Sequence, residues 1–261
     1  MKKIVSFTLG ALLFTSLLGS MRPAQAATTI TSGSLVRGTT FSAVYYMGAD
    51  GLRYVFPNDK TYYTWYKDFS TVKTISDAEL AKIQIGGNVT YKPGVKMVKI
   101  DTDPKVYAVD AKGSLRYVAS EAVATALYGS AWNKNIDDVP DSFFSNYTVS
   151  SNGIESASSF SVSAITAAAT DINTDKDLHA PGNMYIGDSA YTPSSLTVSV
   201  GQTVRFTNTG NTKHSVTADD FSWGSGTIEV GGEYIQRFTK TGTFTFYDSY
   251  NGAIRGTIIV Q

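Results

Sequence analysis

The C-terminal third of the chain alternates apolar and polar residues with the period of β-strands. Five runs show this pattern, at residues 196–200, 203–207, 234–238, 243–247 and 256–260. Such alternation places apolar side chains on one face of a strand and polar side chains on the other. Turn residues separate the runs at the spacing that is typical of a sandwich of two sheets. We therefore predict a strand-rich sandwich over residues 182–261.

An internal repeat occupies residues 33–148. The tetrapeptide Leu-Arg-Tyr-Val occurs at residues 52–55 and again at residues 115–118, and matching positions lie 62 to 64 residues apart. The copies extend over about residues 33–94 and 95–148, and each reads as a strand, a hairpin and two short helices. We expect each copy to cover an apolar face of the other.

The two copies predict equivalent elements at matching places. Tyr54 and Tyr117 are expected to occupy equivalent hairpin positions. Helices are predicted after Asn58 (59–66) and after Ser120 (121–128), because both side chains can accept the free N–H groups at a helix N-terminus. A second helix in the first copy is predicted from the capping-box sequence Ser-x-x-Glu at residues 76–79.

Residues 149–181 differ in composition from both flanking regions. Ser, Ala and Thr dominate there, and no strong apolar period is visible. We predict a linker with a weak helix over residues 164–169. Such a linker would separate the repeat domain, residues 27–148, from the sandwich.

The first 26 residues resemble a secretory signal. Two lysines precede an apolar run, and Ala-Gln-Ala at residues 24–26 has the pattern of a cleavage site. The apolar run is short for a membrane span, and no second run of spanning length follows. We therefore expect cleavage, no stable membrane span afterwards, and a secreted, extracellular, cell-surface or periplasmic location.

Composition narrows the classes of function. Lys plus Arg and Asp plus Glu each number 22, so the formal net charge is zero, and neither sign is concentrated in a stripe. This argues against a nucleic-acid partner. The sequence has no cysteine, which excludes disulfides and thiolate metal sites. No nucleophile–base arrangement or phosphate-binding loop is recognisable, so we expect no enzyme activity and no catalytic residues.

The end of the chain carries the residues of a familiar loop. The stretch from Gly242 to Thr257 resembles the cupredoxin ligand loop Tyr-x-Cys-x-x-His-x-x-Met-x-Gly, with Asp248, Asn251 and Ile254 at the Cys, His and Met positions. The upstream ligand position holds a histidine, His214. Residues 191–208 are similar to the opening strands of the same family. The resemblance implies a copper-protein fold that has lost its type-1 copper site.

The fold class follows from these observations. We predict a mainly β protein with a C-terminal cupredoxin-like Greek-key β-sandwich, preceded by a small α+β domain of two pseudo-repeats. The repeats resemble tandem modules of secreted bacterial surface proteins, on the patterns Val-Tyr-Ala-Val at residues 106–109 and Leu-Tyr-Gly-x-x-Trp at residues 127–132.

Two interpretations of the altered ligand set stay open. In the first, His214 and Asp248 hydrogen-bond with Asn251 as a further polar partner, and no metal or other cofactor is bound. In the second, His214 and Asp248 bind copper or zinc, which would require a third ligand such as Asp219 or His179.

The first copy also contains a dense aromatic cluster, formed by Tyr62, Trp65, Tyr66 and Phe69. These residues share one face at helical spacing, so core packing is the simplest interpretation. The alternative is an exposed platform that binds sugar rings or a peptide.

Three hypotheses of function follow. The first is an exported, non-enzymatic surface or extracellular protein with a structural or binding role. The second is a periplasmic or surface copper-binding or other metal-binding redox protein with an altered site around His214. The third is cell-wall or carbohydrate binding through the aromatic-rich repeat domain. The partner would be a surface protein or a cell-wall glycan.

Overall fold

Two five-stranded sheets with the same topology form the N-terminal part of the protein. The computed structural model describes residues 30–100 and 102–261, and the predicted signal sequence lies outside the described residues. The first sheet has the order β4-β1-β2-β3-β5 and contains β1 (Leu35–Arg37), β2 (Val44–Met47), β3 (Arg53–Val55), β4 (Val72–Thr74) and β5 (Ile85–Asn88). The second has the order β9-β6-β7-β8-β10 and contains β6 (Met97–Ile100), β7 (Asp103–Asp110), β8 (Ser114–Tyr117), β9 (Ile136–Asp138) and β10 (Thr148–Val149).

Each sheet has an antiparallel three-stranded centre with one parallel strand on either side. β1, β2 and β3 are antiparallel neighbours, and β4 and β5 pair in parallel with β1 and β3. β6, β7 and β8 have the same arrangement, with β9 and β10 outside them. The repeat in the sequence thus corresponds to a repeat in topology.

Short helices connect equivalent strands in both copies. They are α1 (Asp59–Trp65), α2 (Asp77–Ala81), α3 (Glu121–Tyr128) and α4 (Asp141–Phe144). The predicted caps are confirmed: Asn58 accepts the N–H of Thr61, and Ser120 accepts the N–H of Val123. Ser76 forms the predicted capping box at the start of α2. Local polar side chains therefore set where these helices begin.

The second hairpin strand is shifted by one residue between the copies. Tyr54 pairs with Tyr46 in the first sheet. At the matching place in the second sheet, Arg116 pairs with Ala108. Tyr117 is the next residue, so it points to the opposite face and is 37% exposed, whereas Tyr54 is buried. The expected equivalence of Tyr54 and Tyr117 is wrong, because a shift of one residue turns a side chain to the other face of the sheet.

The segment predicted as a linker packs against both repeats. It contains α5 (Val162–Ala168) and α6 (Ile172–Lys176). Ile154 and Phe160 belong to the buried cluster of the second repeat, and Ile172 and Leu178 belong to that of the first. We call residues 149–181 the strap. The sequence did not reveal this packing, because the buried apolar residues are too widely spaced to give a period.

Two four-stranded sheets form the C-terminal sandwich. One has the order β12-β11-β14-β16 and the other β13-β18-β17-β15. The strands are β11 (Gly182–Ile186), β12 (Tyr191–Thr192), β13 (Ser195–Val198), β14 (Thr203–Asn208), β15 (Thr217–Ala218), β16 (Glu233–Arg237), β17 (Gly242–Asp248) and β18 (Asn251–Val260). A buried cluster that includes Phe206, Phe246 and Ile258 fills the space between the sheets. The predicted sandwich is confirmed.

A buried acidic residue joins the first repeat to the sandwich. Asp50, in the β2–β3 turn, is 1% exposed and forms an ion pair with Arg237 of β16. The hydroxyl of Tyr54 donates to the same carboxylate at 2.5 Å. The hydroxyl of Thr203 donates to the backbone carbonyl of Asp50 at 3.0 Å. A buried carboxylate is tolerated when it is paired in this way.

Gln84 extends the same junction along the edge of the sandwich. Its side-chain carbonyl accepts the N–H of Ile235 at 2.6 Å, and its amide donates to the carbonyl of Ile235 at 3.1 Å. The side chain of Ile235 lies in the buried cluster of the first repeat. The amide group thus pairs with the exposed edge of β16 as a neighbouring strand would.

Limited proteolysis tests the packing of the strap. We expect peptide bonds between residues 154 and 178 to resist cleavage under native conditions, because anchoring at both ends suppresses local opening. The measurement is mass spectrometry of early fragments. Ile172→Ala should open the segment and yield cuts there, with Val230→Ala as an exposed control that changes nothing. Early cleavage of the wild-type strap would contradict the packing.

Replacement of Arg237 tests the junction. Arg237→Ala leaves Asp50 buried with its charge uncompensated, which should lower the free energy of unfolding by about 2 kcal/mol. The control is Arg255→Ala, which breaks an exposed pair with Asp219 and should cost less than about 1 kcal/mol. Urea unfolding of both variants measures the difference. Equal losses would show that the Asp50–Arg237 pair contributes little.

Candidate functional site

A buried histidine at one end of the sandwich lies between two carboxylates. The Nδ1 atom of His214 is 2.7 Å from Oδ2 of Asp248. Its Nε2 atom is 3.2 Å from Oδ1 of Asp188. The imidazole is 3% exposed, the side chain of Asp248 is fully buried, and that of Asp188 is 42% exposed. The predicted proximity of His214 and Asp248 is confirmed, and Asp188 is a partner that the sequence did not reveal.

The carboxylate of Asp248 is saturated with donors. Besides His214 it accepts the backbone N–H of Ser215 at 2.9 Å and the Ser215 hydroxyl at 3.1 Å. The N–H of Tyr250 donates to it at 3.1 Å. Tyr191 fixes this loop, because its hydroxyl donates to the carbonyl of Ser215 at 2.7 Å. The two loops that meet here are therefore held together by Asp248.

Asp188 lies in the turn between β11 and β12, and donors from the loop after β14 hold it beside the histidine. Asp188 accepts the backbone N–H and the side-chain amide of Asn211. Asn208 holds the loop by donating to the carbonyls of Thr212 and Ile228, each at 2.9 Å. A Cβ atom at Gly210 would lie 2.5 Å from Asp188 Oδ1 and 2.8 Å from His214 Nε2. Glycine is required at position 210 because the backbone passes directly over the ion pair.

The geometry favours a doubly protonated imidazole. A neutral imidazole carries one N–H, so one of its nitrogens would direct a lone pair at a carboxylate oxygen. Burial lowers the pKa of His214, but the hydrogen bonds and charges of Asp248 and Asp188 outweigh it, so the pKa is raised above its ordinary value. Hydrogen bonds from Asn211, His214 and Thr212 hold the pKa of Asp188 well below its usual range.

Two of the four predicted ligand positions do not contribute to this polar network. Asn251 is exposed, and its side-chain oxygen accepts the N–H of Ala253 within its own strand. Ile254 is 1% exposed and packs in the core of the sandwich. The expectation that Asn251 is a polar partner of His214 and Asp248 is wrong, because its position at the start of β18 turns the side chain outwards.

The two other residues considered as metal ligands lie elsewhere. His179 forms a pair with Asp177 at 2.9 Å, and Asp219 accepts from Arg255 at 3.0 Å. Within residues 30–100 and 102–261, no group of three or more His, Cys, Asp or Glu side chains is arranged to hold a metal ion.

The predicted aromatic cluster is partly core and partly surface. Tyr62 is buried, and Trp65 donates its indole N–H to the carbonyl of Thr90 at 2.8 Å. Tyr66 follows the end of α1 and packs against the buried cluster of the first repeat. Phe69 folds back to stack on Tyr62 with ring centroids 4.2 Å apart, and it remains 44% exposed.

Comparison with known families agrees with the fold of the C-terminal part. Residues 158–260 match the family model of the cupredoxin-like domain. The C-terminal part of the chain is a cupredoxin-like domain. The match begins within the strap, upstream of β11. No curated protein matches the chain.

Solved structures of cupredoxins are among the structural neighbours. A purple cupredoxin from Nitrosopumilus maritimus is 21% identical, with 31% of this chain and 99% of that chain covered and a TM-score of 0.29. A mutant of amicyanin in its Cu(I) form is 23% identical, with 31% and 82% covered and a TM-score of 0.30. The Cu-containing nitrite reductase from Thermus scotoductus SA-01 is 22% identical, with 32% and 23% covered and a TM-score of 0.30.

The residues of this cupredoxin-like domain do not fit a type-1 copper centre. Such a centre needs a thiolate and two imidazoles in a plane. Asp248 replaces the thiolate with hard oxygen donors that already accept four hydrogen bonds. Both ring nitrogens of His214 face carboxylates, and Ile254 has no lone pair. No step of a copper mechanism can be assigned to these side chains.

The pH dependence of stability tests the cluster. The pKa of His214 is raised on folding, so protonation of His214 stabilises the folded state. This contribution to the free energy of unfolding is fully present below the ordinary pKa of about 6.5. It is lost as the pH rises through the folded-state pKa. Asp188→Asn removes one carboxylate charge and should reduce this loss, whereas His179→Gln should leave it unchanged. Urea unfolding between about pH 6 and 9 measures the loss of stability in each protein. Identical profiles for wild type and Asp188→Asn would contradict the arrangement.

Proposed function

We propose that this chain is an exported, non-enzymatic protein with a structural or binding role at the cell surface or outside the cell. Its cupredoxin-like domain works without copper or another cofactor. The observation that carries the proposal is the Asp188–His214–Asp248 cluster, which engages the ligand-position histidine through both of its nitrogens. Asn251 and Ile254 occupy the other ligand positions. The side chain of Asn251 is exposed at the surface, and that of Ile254 packs in the core.

The same contacts argue against an altered metal site around His214. A metal at His214 and Asp248 would have to break a buried hydrogen bond of 2.7 Å and displace the donors from Ser215 and Tyr250. A third protein ligand would also be needed, and Asp188 binds the opposite side of the imidazole. The polar network therefore supports a structural role for these residues.

Export is supported by the sequence of the first 26 residues. Their basic start, apolar run and Ala-Gln-Ala pattern are those of a cleavable secretory signal. In the described part of the chain, no helix is long and apolar enough to cross a membrane. A secreted protein that begins at Ala27 is the form we expect to isolate from culture medium or the cell surface.

Metal analysis tests the proposal. The purified chain is incubated with Cu(II) or Zn(II), dialysed without chelator, and analysed for bound metal. We expect well below one ion per chain, because the donor atoms of the cluster are engaged with one another. His214→Gln is the control for any residual binding. Stoichiometric metal in the wild type that disappears in His214→Gln would overturn the proposal in favour of a metal-binding protein.

A groove beside the aromatic cluster supports a second candidate function, carbohydrate binding. The groove measures about 520 Å³ and is lined by Phe56, Tyr62 and Phe69 together with the polar residues Asn58 and Asn88. In such a groove, aromatic rings can contact the apolar face of a small polar ligand, and amide groups can hydrogen-bond to its polar groups. The ring of Phe69 is 44% exposed, so a sugar could stack on it.

Titration with soluble cell-wall glycan fragments tests the groove. We expect Phe69→Ala to weaken binding about tenfold, since loss of an aromatic contact costs on the order of 1 kcal/mol or more. Phe41→Ala is the matched control, because Phe41 is 75% exposed and lies outside the groove lining. Equal affinities for the wild type and Phe69→Ala, or the absence of binding, would contradict a role of the groove in sugar binding.

A further inference from the structure

A basic cleft lies where the second repeat, the strap and the sandwich meet. It measures about 520 Å³. Lys112 enters it from the turn between β7 and β8, and Lys176 and His179 come from the end of α6 and the residues after it. Arg237 and the β13–β14 turn close the other side. Three units of the fold therefore contribute to one cavity.

The charges that line the cleft do not balance. Lys112, Lys176 and Arg237 are cationic, and Asp177 is the acidic residue of the lining. Its Oδ2 atom is 2.8 Å from the ammonium of Lys112, and its Oδ1 atom is 2.9 Å from Nε2 of His179. Arg237 is paired with Asp50 behind the cleft. Lys176 is the cation of this lining for which the described residues provide no ion-pair partner.

Lys176 has an ammonium group without a close acceptor. Within the described residues it forms no ion pair or hydrogen bond, and its Nζ lies 5.5 Å from the ring centroid of Tyr54. Burial lowers the pKa of Lys176, and repulsion by Arg237 adds to this. Attraction by Asp175 and by Asp50 opposes it. A partly desolvated cation whose nearest carboxylates do not pair with it directly favours the binding of an anion.

The donors in the cleft suit a tetrahedral oxyanion. Two ammonium groups and a guanidinium approach one space from different sides and offer several charged N–H donors, and the imidazole of His179 lines the same space. Hydrogen bonds from charged donors to phosphate-like oxygens are stronger than those between neutral groups. We propose that this cleft binds a phosphate or sulfate group, with Lys176 as the central cation and Lys112, His179 and Arg237 around it.

The oxyanion site depends neither on copper nor on the aromatic groove. The site is built from residues that the sequence places far apart, and the fold assembles it only because the strap packs against both repeats. Binding would place an anion across the junction of the three units. It would therefore stabilise their association as well as neutralise Lys176.

Anion titration of the full chain tests the site. Inorganic phosphate, sulfate and glycerol 3-phosphate are titrated against chloride at matched ionic strength, and binding is followed by calorimetry and by amide chemical shifts. We expect saturable binding of an oxyanion, with shift changes centred on Lys112, His179 and Gln202. Binding of free phosphate or sulfate would indicate a free-anion site. Binding of glycerol 3-phosphate alone would indicate a phosphate group carried on a larger molecule.

Two variants make the test specific. Lys176→Gln should weaken oxyanion binding about tenfold, because one hydrogen bond to a charged group is lost. Lys176→Arg should retain most of the affinity, and Lys240→Gln, an exposed lysine outside the cleft, should bind as the wild type does. Circular dichroism verifies that each variant is folded. A non-saturable response in the wild type, or unchanged affinity in folded Lys176→Gln, would overturn the proposal.

Discussion

A carboxylate that is fully buried must be matched by charge and by hydrogen-bond donors, and Asp248 imposes this requirement on one end of the sandwich. His214 supplies the charge, while Ser215 and Tyr250 supply the remaining donors. A protonated His214 in turn requires an acceptor on its other nitrogen, and Asp188 provides it. The result is an alternating series of negative, positive and negative charges that joins three loops. His214 and Asp248, which hold ligand positions of the resembled fold, both belong to this hydrogen-bonded cluster.

The same requirement recurs at the junction between the first repeat and the sandwich. Asp50 is as deeply buried as Asp248, and it is neutralised by Arg237 from another part of the chain. The strap adds apolar anchors to both repeats through Ile154 and Ile172. Ile235 of the sandwich lies in the buried cluster of the first repeat, so the sandwich is bound to that repeat by a buried ion pair and by packing. The first repeat and the sandwich are thus joined by an ion pair between residues that lie far apart in the sequence.

The sequence predicted those features that depend on local patterns. The alternation of apolar and polar residues predicted the strands of the sandwich. Capping residues such as Asn58 predicted where the helices begin. The ligand-loop resemblance placed His214 beside Asp248. Features that depend on tertiary contacts were missed: Asp188 lies in no motif, and only the tertiary fold brings the turn between β11 and β12 beside His214. The packing of the strap was hidden because its anchors are isolated among Ser, Ala and Thr. The one-residue shift that separates Tyr54 from Tyr117 depends on strand pairing and not on the repeated tetrapeptide.

The ring nitrogens of His214 report most directly on whether His214 forms an ion cluster with Asp188 and Asp248. Nitrogen-15 NMR of histidine-labelled protein distinguishes a doubly protonated imidazole from either neutral tautomer. With only two histidines in the sequence, a His179→Gln variant assigns the signals. We predict that both nitrogens of His214 carry protons at the ordinary histidine pKa and that the signals titrate above that value. A single neutral tautomer at the ordinary histidine pKa, or a pKa of His214 at or below the ordinary value, would contradict the ion cluster.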